Sequence, residues 1–230
     1  MAQANDWPTY VINLAERTDR RREMQKQLDA LNWRAEFFPA VRPPDKGSYP
    51  SIGARGCFAS HMGVLRMAVA RGHDHVIILE DDLNFAGGLQ LHWRNMLSEL
   101  GGLNWSMLYP GHTLGDLAAP LTALAPGTGV MCTHFLAFRG GAMAFALKKL
   151  EEIDRRPPGH PDGGPMHVDG AYSTIRKQNP SFATYAHSPS LGFQRPSRSD
   201  IAEPKWFDRM QALTPAIRIL RRMRKSLPLR

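Results

Sequence analysis

His75 to Asp82 reads HVIILEDD, and this stretch decides the fold. Val76 to Leu79 is apolar without alternation, the pattern of a strand buried on both faces in a sheet covered by helices. The strand runs straight into Glu80, Asp81 and Asp82. In an open α/β sheet the ligand crevice lies beyond the carboxyl ends of the strands, so the three acids stand where a ligand would sit. Crowded carboxylates repel one another and drift upward in pKa. A divalent cation relieves that repulsion, and hard oxygen donors suit magnesium or manganese, which bind through a few carboxylates plus substrate phosphates. The chemistry implied is metal-assisted handling of a phosphate leaving group. The plainer alternative is that the acids cap the next turn or face water.

Working outward, strands and helices alternate, which argues for an α/β sheet. Thr9 to Leu14 (TYVINL) reads as a strand, with Thr18 or Asp19 capping a helix that carries Met24, Leu28 and Leu31. Arg42 to Gly53 is rich in proline, glycine and serine and reads as a loop. From Ala54 to Arg71, Phe58, Met62, Leu65 and Val69 recur at helical spacing, with Gly72 as the stop. Beyond the acids, a helix is expected over Leu89 to Leu100 and a strand over Asn104 to Tyr109. Pro110 to Met131 shows no period. A strand at Thr133 to Phe138, helices at Gly140 to Asp154 and Val168 to Lys177, and a strand at Phe182 to His187 complete the pattern.

The chain has 230 residues, 43% hydrophobic and 22% charged, which excludes bulk disorder and a coiled coil. No run of about 18 apolar residues is present, so no spanning segment is expected. MAQANDWPTY lacks the pattern of a secretory leader, and two cysteines, Cys57 and Cys132, make no disulfide framework; together these point to the cytoplasm. The net charge of +8 is uneven. Residues 205–230 hold eight of the 29 basic residues and one of the 21 acids, so this stretch carries +7 and residues 1–204 carry +1. A basic-body nucleic-acid binder is disfavoured. From Met210 on, Leu213, Ile217, Leu220 and Met223 follow one helical face and Arg218, Arg221, Arg222 and Lys225 the other. A basic amphipathic tail of this kind reads as an anchor to an anionic membrane surface.

Three blocks carry a resemblance: YVINLAERTDRR, then GARGCFASHMGVLRMAVARGHDHVIILEDD, then PSLGFQRPSRSDI. In order and spacing they resemble the family 25 glycosyltransferases of lipopolysaccharide and lipooligosaccharide assembly, relatives of the collagen galactosyltransferases. The resemblance spans roughly Thr9 to Ile201. It implies a GT-A-like nucleotide-sugar domain, α/β, with a central mixed, mostly parallel sheet flanked by helices, over residues 1–204. It implies transfer of a sugar, often galactose, from a UDP donor to a glycan acceptor with inversion, and a manganese or magnesium ion on an Asp-x-Asp-like motif. Asp82 is then the leading metal ligand, with Asp81 and His187 completing the shell and Glu80 or Asp81 serving the ribose or a metal-bound water.

Asn13, Arg17 and Arg20 follow the first strand, where a base and phosphate would lie, and arginine grips phosphate with two parallel bonds. Ser60 and His61 fall in the family's middle block, Gln194 and Arg198 in its late block; all four are candidate donor-binding residues. Cys57 and His61, one helical turn apart, make only half of a zinc pattern and read as core residues. An inverting transfer needs a base on the acceptor side, away from the metal-bound acids. Of Asp116, Asp162, Asp169 and Asp200, Asp169 is favoured: it opens a helix whose backbone can orient it, in the segment where the family's acceptor would lie. The competing classes are a catalytically degenerate glycan- or partner-binding relative and a metal-dependent phosphoesterase or nuclease. The latter needs further ligands in motif spacing, which the sequence does not offer.

Overall fold

The computed structural model describes residues 6–195. Arg198, the division at residue 204 and the basic tail over 205–230 lie outside the described residues.

The chain runs β1 (Thr9–Asn13), α1 (Thr18–Ala30), β2 (Glu36–Pro39), α2 (Ile52–Ala70), β3 (His75–Glu80), β4 (Leu83–Phe85) and α3 (Leu89–Leu100). It continues with β5 (Met107–Gly111), β6 (Leu121–Ala123), β7 (Phe135–Arg139), α4 (Ala142–Arg155), α5 (Val168–Gln178), β8 (Thr184–His187) and β9 (Gly192–Gln194). Seven strands form one sheet in the order β2-β1-β3-β7-β5-β8-β6, and β4 pairs with β9 in a separate two-stranded ribbon. β1 lies parallel to β2 and β3, and β5 parallel to β8, while β7 and β6 run against their neighbours. Five of the seven strands therefore point one way, as the expected mixed, mostly parallel sheet requires.

The alternation of side chains along each strand sorts the core into two layers. Tyr10, Ile12, Val76, Ile78, Leu136 and Phe138 face α2, α4 and α5. Val11, Ile77, Leu79, Leu108 and Ala137 face α1 and α3, which contribute Met24, Leu28, Trp93 and Met96. Each of Val76 to Leu79 is fully buried, which is why the stretch shows no polar position.

α2 starts at Ile52, two residues before the expected Ala54. The Ser51 side chain caps it by accepting from the Ala54 amide at 3.0 Å, and Gly72 follows its end at φ +65°. Val69, expected on the buried stripe, is 39% exposed. α1 is capped differently from expectation: Arg17 is the N-cap and its side chain makes no capping bond, so Thr18 and Asp19 lie inside the first turn. β5 begins at Met107 rather than Asn104, and the long aperiodic stretch contains β6. No described helix is long and apolar enough to cross a membrane.

Candidate functional site

β1 and β3 lie side by side and parallel, so Asn13 and the acidic turn after Glu80 emerge at the same edge of the sheet. Asn13 Nδ2 donates to Asp81 Oδ2 at 2.7 Å. Arg20, on the first turns of α1, donates to Asp81 Oδ1 at 2.9 Å and stands 3.4 Å from Asp82 Oδ2. Both oxygens of Asp81 are thus engaged. Burial pushes its pKa up, against the pull of Asn13 and Arg20. Asp81 is an organising residue tying the turn to β1 and α1, and the metal-ligand role expected for it conflicts with this engagement.

Asp82 is different. It is 7% exposed, Gln194 Nε2 donates to its Oδ2 at 3.1 Å, and its Oδ1 is buried with no hydrogen-bond partner. Burial, then repulsion from Glu80, raises its pKa to about 6. The turn is closed from above by β9, the partner of β4. Arg195 donates from its amide to Asp82 O at 2.8 Å and from its guanidinium to Asp81 O at 2.8 Å, and it pairs with Glu23 of α1.

Glu80 turns to the opposite layer. Thr133 Oγ1 donates to Glu80 Oε1 at 2.6 Å, and His61 Nε2 lies 3.5 Å from the same oxygen. Burial opposes its ionisation, but His61 and Thr133 outweigh burial and hold its pKa below the ordinary value. His61 is wholly buried, and its Nδ1 lies 3.3 Å from the Tyr172 hydroxyl of α5.

Asp169 belongs to the same neighbourhood. Its Oδ2 accepts from the Cys132 amide at 3.1 Å, and its Oδ1 from the Gly170 amide at 2.7 Å. Cys132 Sγ in turn stands 3.5 Å from Gln194 Oε1, so Asp169 and Asp82 are linked through Cys132 and Gln194. Cys132 holds φ +67°, a left-handed backbone that a non-glycine residue adopts at a cost of about 1–3 kcal/mol. The thiols of Cys57 and Cys132 are pushed up by burial and then by the charges of Glu80, Asp169 and Asp82. The N-cap of α5 is His167, so Asp169 lies within the first turn rather than at the cap, and it bonds across to another segment.

The structure thus brings together Asn13, Arg20, Glu80, Asp81, Asp82, Asp169 and Gln194. Other expected residues lie elsewhere. Ser60 is fully buried; its hydroxyl donates to Gly56 O at 2.7 Å and accepts from the Val41 amide at 2.8 Å, fastening the Arg42–Gly53 segment to α2. It presents nothing to a donor, contrary to expectation. The Arg17 guanidinium pairs with Asp19, and its carbonyl accepts from Asn13 Nδ2 at 3.3 Å. His187 donates to Pro189 O at 2.8 Å, its own carbonyl accepts from His112 Nε2 at 2.8 Å, and its ring meets His92 of α3 at 5.7 Å. These contacts lead to the α3 layer, whereas the contacts of Asp82 lead to Arg20, Gln194 and Arg195. Thr133, Cys132 and Arg195 went unread in the sequence, since each acts across a sequence separation of 37 to 114.

A family model described as Glycosyltransferase family 25 (LPS biosynthesis protein) matches residues 6–52. A "Glycosyltransferase 25 family member" of Anopheles gambiae is 31% identical over 126 residues, 44% of this chain and 21% of that protein. The "Inactive glycosyltransferase 25 family member 3" of Homo sapiens is 28% identical over 125 residues, 44% of this chain and 21% of its own length. "Procollagen galactosyltransferase 1" of Danio rerio is 27% identical over 134 residues, 48% of this chain and 22% of its own length. The chain therefore spans about a fifth of the length of these curated relatives. Among solved structures, a glycosyltransferase involved in glycosylation of the major capsid of PBCV-1 aligns with TM-score 0.43 and 11% identity, covering 79% of this chain and 92% of that one. The family that the sequence blocks resemble is the one these matches return: over part of its length the chain is similar to members of glycosyltransferase family 25.

Proposed function

We propose that this chain is a metal-dependent glycosyltransferase that moves a hexose from a UDP-sugar, UDP-galactose first among them, onto a lipopolysaccharide, lipooligosaccharide or related glycan acceptor with inversion. The observation that carries the reading is Asp82 Oδ1, a buried carboxylate oxygen without a partner at the carboxyl end of β3, beside Glu80 and below Arg20. A buried unsatisfied acceptor needs a cation or water. A hard carboxylate oxygen fits manganese or magnesium, so Asp82 is the residue that would hold the ion. Such an ion, when bound, neutralises charge on the diphosphate leaving group.

The protein's own residues supply the rest. Asn13 and Arg20 lock Asp81, which fixes the turn that presents Asp82. Arg20 and Arg195 keep positive charge over the turn, where the phosphates of a donor would rest. Asp169, held by two backbone amides on the far side of Cys132, takes the acceptor hydroxyl proton as that oxygen attacks the anomeric carbon.

The test is UDP release from a panel of UDP-sugars with manganese, magnesium or chelator. Asp82→Asn is expected to remove most turnover and the manganese requirement together. Asp169→Asn is expected to lower turnover about 100- to 10,000-fold while donor affinity holds. Full activity of Asp82→Asn, or of the wild type in chelator, overturns the metal role. A second reading, a catalytically silent glycan- or partner-binding relative, is favoured by one observation, the human relative named inactive. UDP-sugar binding without any release of UDP selects it.

A further inference from the structure

Among the described residues, one group of three histidine, cysteine or acidic side chains brings its ligand atoms within 4.8 Å of one another: Cys57, His61 and Glu80. It lies on the α2 side of β3. Cys57 and His61 sit one turn apart on α2 and so point the same way, toward the end of the strand that carries Glu80.

Three features of this group ask for a ligand. His61 is wholly buried, and its Nε2 has no hydrogen-bond partner. The nearest acceptor, Glu80 Oε1, is 3.5 Å away, too long for a sound N–H···O bond of about 2.7–3.2 Å. Two ligands of one tetrahedral ion, each about 2.0–2.1 Å from it, stand about 3.3–3.4 Å apart, close to the 3.5 Å found. The outer contacts are also those of a ligand set. With Nε2 on an ion, Nδ1 carries the proton and faces the Tyr172 hydroxyl at 3.3 Å, and Thr133 orients Glu80 at 2.6 Å.

We propose that Cys57, His61 and Glu80 form a second cation site, selective for a borderline-soft ion of the zinc type and separate from the hard-ion position at Asp82. Sulfur, imidazole and one carboxylate oxygen are a zinc donor set and a poor match for magnesium or manganese. Water fills the fourth position. On binding, the Cys57 thiol gives its proton to solvent and the cation takes its place. The ion joins the first half of α2 to the end of β3 and so braces the turn that presents Asp82. The site stands or falls independently of sugar transfer.

The experiment loads the full chain, stripped with chelator, with cobalt(II) as an optical stand-in for zinc. A thiolate-to-cobalt charge-transfer band is expected at about one cobalt per chain, displaced by zinc. The band is expected to vanish in Cys57→Ser, with zinc affinity down at least about 10-fold, and to persist in Cys132→Ser and Asp82→Asn. Because a change beside a buried histidine can disturb folding, the wild type supplies a second measurement. Zinc is expected to slow alkylation of Cys57 at least about 10-fold while Cys132 reacts as before, read by mass spectrometry. Absence of the band in the wild type, a band unchanged in Cys57→Ser, or equal alkylation of Cys57 with and without zinc overturns the site.

Discussion

Asp82 shows what a residue's surroundings add to its identity. Its pKa is raised to about 6, first by burial and then by Glu80, from an ordinary value of 3.8. In the metal-free protein a raised carboxyl pKa stabilises the fold while the group is protonated. That contribution is complete below about pH 4 and is lost as pH rises through 6, because the unfolded chain gives up its proton first. Two units correspond to about 3 kcal/mol. Asp82→Asn keeps the shape and removes the buried charge, so in chelator it is expected to be the more stable protein at pH 8, by about 2–3 kcal/mol, and no more stable at pH 4. Thermal unfolding of both proteins at the two pH values checks this; an equal difference at both removes the assignment. The resemblance put Asp82 first among the three acids, but the residue pattern alone did not rank them. Rank among them comes from Asn13 and Arg20, which occupy Asp81 across 68 and 61 positions, and no local pattern reports contacts of that range.

Helices and central strands were readable because their burial leaves a period. β3 is covered on both faces and shows a continuous apolar run, whereas α2, α4 and α5 bury one stripe each. β2, β4, β6 and β9 were not readable. They are three or four residues long and partly exposed, so burial writes no alternation into them. Strand direction was hidden as well, since β7 is as apolar as β3 yet runs against it. One contact between elements is tight enough to test. A Cβ on Gly63 of α2 would stand 2.5 Å from Phe38 Cζ of β2. Gly63→Ala gains helix propensity but forces Phe38 aside, and overpacking of this kind costs about 1–3 kcal/mol. A fall in thermal stability is expected, with partial recovery in Gly63→Ala combined with Phe38→Leu; a variant as stable as the wild type shows that the edge strand yields freely.

Across the whole molecule, charge is unevenly divided. Residues 1–204 are near neutral at +1, and 205–230 carry +7. Since each Lys or Arg near an anionic surface contributes about 1 kcal/mol, we expect the tail to hold the chain at an anionic membrane surface. The full chain should co-sediment with phosphatidylglycerol-containing vesicles, and a chain ended at Pro204 should lose at least about 10-fold of that binding. Equal sedimentation of the two removes the tail as the anchor. The ribbon of β4 and β9 has a different consequence, one of timing. Asp82 meets Gln194 across 112 positions, and closing a loop of that length carries an entropy cost that shorter contacts avoid. On the ribosome, β1, β3 and the three acids have emerged well before Gln194 and Arg195 exist. The acidic turn therefore stays open on that side until β9, the last strand among the described residues, is made.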